Sequence, residues 1–175
     1  MGGSFRHAFA AVTVLVAAWV GAAPAASPVS AAEPASEEAQ CVVHVVGREE
    51  SGELRLSEPR CYPTLAQAMV SEGVQAWGPG ASERVIAGAS FTIGYHCDGL
   101  NLVAPCTSVV GDDCGGGWLN TVTAWDNRIS STLNGCPNIT HFDSPNRMGA
   151  TEVTSGLSGH NLTSLDNRTE SLQYS

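Results

Sequence analysis

The chain contains no lysine, so arginine is its only strongly basic residue. Its 8 arginines stand against 17 acidic residues, which gives a formal net charge of −9 at pH 7. Nucleic-acid-binding domains need basic surfaces to meet the phosphates, so this charge argues against a nucleic-acid partner. The lack of lysine, with many alanines and glycines, is the composition that codon bias produces in a GC-rich bacterium, so we expect a bacterial protein.

The chain also lacks an apolar run long enough for an ordinary membrane span, which takes about 20 residues. Its apolar run at 8–20 follows Arg6 and precedes a series of small residues. That order is typical of a secretory signal peptide. We expect residues 1–26 to form the signal peptide, with cleavage after Ala26 or after Ala32. The mature chain should then be secreted to the extracellular space, without a membrane partner.

The usual signatures of zinc sites and hydrolases are missing as well. The sequence has no C-x₂-C pair, no H-x₃₋₅-H pair and no G-x-S-x-G nucleophile elbow. The glycine run at 115–117 lacks the lysine and the hydroxyl residue of a phosphate-binding loop. We therefore expect a protein that is not an enzyme.

Six cysteines follow the signal peptide. An even number in a short exported chain predicts a disulfide framework, and six cysteines allow fifteen connectivities. Pairing within each local part of the chain favours three intramolecular bridges. They are Cys41–Cys61, Cys97–Cys106 and Cys114–Cys136.

Composition divides the mature chain before residue 90 into a small unit between two linkers. Residues 27–40 are rich in Ala, Pro, Ser and Glu without hydrophobic periodicity, which predicts a flexible linker. Residues 41–75 predict a disulfide-stapled strand–helix unit, with Thr64 as the helix N-cap and Gly73 just past the helix end. A Trp-Gly-Pro-Gly stretch then breaks the pattern, so residues 76–89 are expected to be a second linker.

Residues 90–175 show no helical periodicity. Short stretches of strand composition alternate with Gly, Asn, Asp, Ser and Pro, which predicts an all-β sandwich. The predicted strands lie at 91–95, 108–110, 118–119, 139–142, 151–154 and 171–174.

A six-residue pattern occurs twice in this part of the chain. Asp-Asn-Arg-Ile-Ser-Ser at 126–131 recurs as Asp-Asn-Arg-Thr-Glu-Ser at 166–171. A repeat of this period indicates one structural unit used twice. Its carboxylate, amide and hydroxyl oxygens are ligands that Ca²⁺ prefers, because this cation takes six to eight oxygens. Asp-Asn pairs also favour turns, so purely structural loops are the other interpretation.

On these residues, the segment 90–175 resembles the βγ-crystallin superfamily, in particular its small exported bacterial members. Each Greek-key motif of that family ends in [Asn/Asp]-[Asn/Asp]-x-x-[Ser/Thr]-Ser. The first copy fits at every position, and the second carries Glu170 where Ser or Thr is expected. The family's hairpin signature is incomplete here, since Arg147 stands at the second aromatic position between Phe142 and Gly149.

The resemblance implies a mainly β fold in which two Greek-key motifs form one sandwich domain with a paired site for one or two Ca²⁺ ions. In the family, the two motif loops lie antiparallel and each contributes to both ions. Further ligands would come from the hairpins, near Asp98 or Asp143, and from water. The candidate ligands are the side chains of Asp126, Asn127, Ser130, Asp166, Asn167 and Glu170 and the backbone carbonyls of Arg128 and Arg168.

The first functional prediction is therefore an exported calcium-binding domain protein, expected to be a monomer. Some exported bacterial metalloproteinase inhibitors share the crystallin-like fold, so a secreted peptidase inhibitor, with a secreted protease as its partner, is the alternative. An inhibitor needs a rigid exposed loop, and the loop between Cys97 and Cys106 meets this need best. Its candidate contact residues are Leu100, Asn101, Leu102 and Val103.

Overall fold

The computed structural model describes residues 39–74 and 90–175. The predicted signal peptide, the linker at 76–89 and all but the end of the linker at 27–40 lie outside these ranges. Among the residues that the structure describes, no helix is long and apolar enough to cross a membrane.

The described residues are mainly β, as the sequence predicts, and form two sheets. They contain one α-helix, α1 (Leu65–Glu72), and two 3₁₀ turns in hairpin loops, Leu100–Leu102 and Pro145–Arg147. The strands are β1 (Gln40–Arg48), β2 (Leu54–Leu56), β3 (Arg60–Tyr62), β4 (Phe91–Cys97), β5 (Cys106–Gly111), β6 (Trp118–Asn120), β7 (Ser131–Asn134), β8 (Asn138–Ser144), β9 (Met148–Ser155), β10 (Gly159–Asn161) and β11 (Ser171–Tyr174).

Helix α1 carries the two end signals that its sequence predicts. The Thr64 side chain accepts a hydrogen bond of 3.2 Å from the Gln67 N–H and so caps the first turn. Gly73 follows the last turn with a φ of 64°, a left-handed conformation that favours glycine. The buried face of the helix packs against β1 and β5.

The larger sheet has the strand order β10-β7-β4-β5-β1-β2, with β3 also paired to β1, and the smaller sheet has the order β6-β11-β8-β9. Two sets of four consecutive strands, β4–β7 and β8–β11, supply most of these strands. The third strand of each set, β6 or β10, pairs in the sheet that holds the rest of the other set. The two sets therefore exchange one strand, and neither forms a complete sheet alone.

The N-terminal segment extends the larger sheet. Strand β1 runs parallel to β5, with Val43 opposite Val109, and β2 and β3 pair antiparallel with β1. Without β1, the backbone groups on one edge of β5 would lose their partners. Measurements on this protein therefore need a chain that includes β1 rather than residues 90–175 alone.

The two sheets pack over a shared hydrophobic core. Strands β4, β8 and β11 contribute Ile93, Ile139 and Leu172 to it, each at most 2 % exposed. Ile129, the fourth residue of the first motif, belongs to the same core. Thr169, at the corresponding position of the second motif, is also buried. Each motif loop is thus anchored from inside through its fourth residue.

The six cysteines form three disulfides in the predicted pairs, and none is free. One disulfide joins β1 to β3, one closes the β4–β5 hairpin, and one joins the loop after β5 to the loop after β7. Such bridges persist in oxidising compartments, so they are compatible with an extracellular location. The pairs are Cys41–Cys61, Cys97–Cys106 and Cys114–Cys136.

Candidate functional site

The two motif loops, residues 126–130 and 166–170, are defined here as loop 1 and loop 2. Each starts with a tight turn. The Arg128 N–H donates to the Trp125 carbonyl over 3.3 Å, and the Arg168 N–H donates to the Leu165 carbonyl over 3.0 Å. The asparagine before each arginine has a positive φ, which asparagine tolerates better than most residues.

Reciprocal backbone hydrogen bonds join the two loops. The Asn127 N–H donates to the Thr169 carbonyl over 3.1 Å, and the Asn167 N–H donates to the Ile129 carbonyl over 3.0 Å. The same positions donate and accept on both sides, so the loops lie side by side with approximate twofold symmetry. The structure therefore brings together the two sequence motifs that stand about forty residues apart.

Side chains also meet across this pair of loops. The Ser130 hydroxyl donates to Oδ1 of Asn167 over 3.2 Å. At the equivalent place, Nδ2 of Asn127 donates to Oε1 of Glu170 over 3.2 Å. Glu170 therefore occupies the position that serine occupies in loop 1, and its longer side chain still reaches the facing asparagine. One half of the site has a hydroxyl and the other has a carboxylate.

Backbone bonds hold the fifth residue of each loop against a hairpin. The Ser130 N–H donates to the Cys97 carbonyl, and the Glu170 N–H donates to the Phe142 carbonyl, both over 2.8 Å. The residues after these two acceptors are Asp98 and Asp143, which are partly buried. Each of the two hairpin aspartates thus lies beside one of the loops.

The serine that closes each motif fastens the same hairpin. The buried Ser131 hydroxyl donates to the Gly99 carbonyl over 2.6 Å and accepts from the Leu102 N–H over 2.9 Å. Ser171 makes the equivalent pair of bonds, with the Ser144 carbonyl at 2.7 Å and the Arg147 N–H at 3.0 Å. These two serines therefore have a structural role and are not free to bind an ion.

The 3₁₀ turn at each hairpin tip contacts the exchanged strand of the other set. The Asn101 N–H donates to Oδ1 of Asn161 on β10 over 2.6 Å. The Asn146 N–H donates to Oδ1 of Asn120 on β6 over 2.7 Å. Because these bonds cross between the two sets of strands, they tie the hairpins, the exchanged strands and the loops into one symmetrical framework.

The arginine of each loop turns back and contacts the hairpin aspartate. Arg128 contacts Asp98 through Nε at 3.1 Å and through Nη2. Arg168 contacts Asp143 through Nη2 at 2.8 Å. The motif predicts a role for the two arginine carbonyls as ligands, but it gives no sign of these side-chain ion pairs.

Loop 2 has an additional support, the carboxylate of Glu152 on β9. It accepts hydrogen bonds from the N–H groups of Thr163, Ser164 and Leu165 over 2.8 to 2.9 Å and from the hydroxyls of Thr163 and Ser164. Burial alone would raise the pKa of Glu152, but these hydrogen bonds outweigh burial and hold the pKa below its ordinary value. In loop 1 the equivalent stretch is held by a backbone bond from the Trp125 N–H to the Val122 carbonyl.

The oxygens around the two loops suit a hard cation. Asp126 and Asp166 are exposed at the start of each loop, Glu170 adds a third carboxylate, and the rest of the candidate set consists of amide, hydroxyl and carbonyl oxygens. Within residues 39–74 and 90–175, no three His, Cys, Asp or Glu side chains form a cluster that could hold a metal. A site here would therefore depend on neutral oxygens as well as carboxylates, which calcium accepts more readily than transition metals do.

The predicted inhibitory loop is only partly available to a partner. Leu100 and Val103 are 48 % and 59 % exposed. Leu102 instead packs against the cluster around the Cys97–Cys106 disulfide. A substitution at Leu102 would therefore disturb the hairpin itself, so Leu100 and Val103 are the residues that can test this surface.

Comparisons with known proteins identify no family for this chain. No family model matches the chain. No curated protein and no solved structure matches it either.

Proposed function

We propose that this protein is an exported calcium-binding domain protein of the βγ-crystallin type, without catalytic activity. The strand order supports this proposal, because β4–β7 and β8–β11 behave as two four-stranded motifs that exchange their third strands. The repeated six-residue pattern lies at the same place in each motif, between the third and fourth strands. The two copies are thus equivalent in the fold as well as in sequence.

The observation that carries the proposal is the reciprocal backbone pairing of the loops through Asn127 and Asn167. It holds two oxygen-rich segments antiparallel, so each segment can contribute ligands to both ends of the pair. Without this pairing, the two Asp-Asn turns would not be held close enough to bind the same ion. We call the line along which loops 1 and 2 pair the seam. Calcium binding across this seam would link the two motifs and stabilise the native state.

The two ends of the seam are not equivalent. One end combines Ser130 with Asn167, and the other combines Glu170 with Asn127. With carboxylates from Asp126 and Asp166 nearby, the end that contains Glu170 would be the more anionic. We assign the tighter of two calcium sites to that end, because an added carboxylate ligand strengthens binding of a divalent cation.

Thermal unfolding of the mature chain, residues 27–175, tests the proposal. Calcium at 100 times its Kd should add about 2.7 kcal/mol for one site that exists only in the native state. Magnesium should add much less, because it needs a smaller and stricter octahedral site. Asp126→Ala combined with Asp166→Ala should abolish the calcium shift.

The matched control removes two exposed carboxylates outside the loops, through Glu58→Ala combined with Asp112→Ala. It changes the net charge by the same amount and should leave the calcium shift intact. A native chain whose melting temperature is unchanged in millimolar calcium would contradict the proposal. The loops would then be structural turns.

A second candidate function is peptidase inhibition. It is favoured by the exposure of Leu100 and Val103 on a hairpin that is closed by a disulfide and fastened by Ser131. A loop held in this way loses little conformational entropy when it binds. Inhibition of a secreted thermolysin-like protease should be lost in Leu100→Asp combined with Val103→Asp, with little change in melting temperature. Inhibition that survives this variant would place the contact elsewhere, and no inhibition at micromolar protein would exclude this function for the protease tested.

A further inference from the structure

The same arginine–aspartate pair occurs in both motifs. Arg128 reaches Asp98, and Arg168 reaches Asp143, in each case from the third position of the loop. Asp98 directly follows β4, and Asp143 lies near the end of β8. The aspartate side chains are 29 % and 17 % exposed, so both carboxylates are partly shielded from water. The ion pair recurs at equivalent positions under the approximate twofold symmetry of the fold. It is therefore a shared feature of the two motifs and not an isolated surface contact.

Each guanidinium also binds a backbone carbonyl two residues before its own loop. Nη1 of Arg128 donates to the Ala124 carbonyl over 3.3 Å, and Nη1 of Arg168 donates to the Ser164 carbonyl over 3.2 Å. These bonds and the ion pairs turn each guanidinium back toward its loop, while the two arginine side chains stay 48 % and 57 % exposed. Each positive charge therefore lies against Asp98 or Asp143, the hairpin residues from which the proposed site would draw further ligands.

Loop geometry does not depend on these arginines. The backbone bonds of Asn127 and Asn167 pair the loops, and the bonds of Ser130 and Glu170 fasten them to the hairpins. What the arginines add is charge. The guanidiniums neutralise the two hairpin carboxylates and repel an incoming divalent cation.

We propose, as an extension of the proposed function, that Arg128 and Arg168 are latches that compete with calcium for the hairpin aspartates. With no cation bound, each arginine holds its aspartate. A bound cation draws the aspartate carboxylate toward itself and displaces the guanidinium. The latches thus lower the affinity of the site and set the calcium concentration at which it fills.

Calorimetric titration of the mature chain with calcium chloride tests this assignment. The variant Arg128→Gln combined with Arg168→Gln should bind calcium more tightly, by roughly tenfold, because a positive charge is removed beside each site. Asp98→Asn combined with Asp143→Asn should bind more weakly, because the carboxylates that the latches hold are lost. The matched control is Arg48→Gln combined with Arg55→Gln, which removes two arginines from surface ion pairs and should not tighten binding.

The outcomes separate the latch from the proposed function. If the native chain binds calcium and the glutamine variant binds equally or more weakly, the latch is refuted and the calcium function stands. If only the glutamine variant binds, the latch is supported and the native chain is not a calcium protein. If neither binds, both proposals fail.

A conservative variant guards against loss of folding. Arg128→Lys combined with Arg168→Lys keeps both charges but cannot reproduce the forked contact of arginine. Its affinity should lie between those of the native chain and the glutamine variant. Circular dichroism of every variant confirms that the sheets are formed before any affinity is compared. If the glutamine variant does not fold, the lysine variant decides: calcium affinity equal to or weaker than that of the native chain refutes the latch.

Discussion

Replacing Glu152 by glutamine should weaken loop 2 while leaving loop 1 in place. Oε1 accepts from the Thr163 hydroxyl, and Oε2 accepts from Ser164 and Leu165. The Thr163 N–H is shared between Oε1 at 2.9 Å and Oε2 at 3.2 Å. Glutamine can keep one oxygen, but its NH₂ group must then face N–H donors on the other side. Either the Thr163 N–H loses its closer acceptor or the N–H groups of Ser164 and Leu165 lose theirs, and the hydrogen bonds that remain lose their charge.

The expected loss of stability is about 2 kcal/mol, since a hydrogen bond to a charged group contributes about 1.5–3 kcal/mol and part of this bonding survives. For a domain of this size the melting temperature should fall by roughly 6–10 °C. Thermal unfolding followed by circular dichroism at neutral pH measures the change. Glu58→Gln, at an exposed position, is the control and should unfold like the native chain.

The pH dependence gives this prediction a sharper test. The folded-state pKa of Glu152 lies below its ordinary value of 4.5, so the unfolded state binds the proton more readily than the native state does. The stabilisation by Glu152 is therefore complete above pH 4.5 and is lost as the pH falls through the folded pKa. In acid the native chain and Glu152→Gln should converge in stability. A stability difference between the two chains that stays constant from neutral pH into acid would show that the charge of Glu152 is not the cause. Equal stability at neutral pH would show that the Glu152 hydrogen bonds do not stabilise the fold.

Two other predictions concern the buried histidines and the N-terminal disulfide. Burial lowers the pKa of both His96 and His141, for His141 from 6.5 to about 4, so the unfolded state binds more protons in this window. Urea unfolding should show the free energy of unfolding falling between pH 6.5 and 4, by about 3 kcal/mol for His141 alone. In His141→Leu this free energy should fall less steeply with pH, and an equally steep fall in both chains would contradict the prediction. Cys41→Ala combined with Cys61→Ala opens a bridge with a sequence separation of 20 and should cost about 3 kcal/mol in the same assay, whereas an unchanged urea midpoint would show that the bridge does not stabilise the sheet.

The sequence predicts those parts of the fold that have local signals. Alternating apolar residues mark β4 and β8, cap residues mark α1, and an even cysteine count with local spacing gives all three disulfides. Strands β7 and β10 carry no such signal. In β7 the buried residues include Thr132 and Asn134, whose polar side chains hide the alternation that burial usually produces. Short strands with buried polar side chains cannot be found by hydrophobic pattern.

The contacts that complete the candidate site are also invisible in the sequence. The motif predicts which residues form loops 1 and 2, but the partners of Arg128 and Arg168 come from distant hairpins. Glu152 acts on backbone N–H groups, which every residue except proline has, so its partners leave no pattern. The parallel pairing of β1 with β5 is similar, because the strand composition of β1 does not say which strand it joins.

The two motifs fasten equivalent loops by different chemistry. The first hairpin is closed covalently by Cys97–Cys106, and it has no aromatic corner. The second keeps a hydrogen-bonded closure and places Arg147 over the Trp118 ring, 5.0 Å from its centre. Loop 2 depends further on the ionised carboxylate of Glu152, whereas loop 1 uses backbone bonds that acid does not affect. It follows that acid should release loop 2 before loop 1, because protonation of Glu152 weakens the hydrogen bonds that hold residues 163–165, just before loop 2.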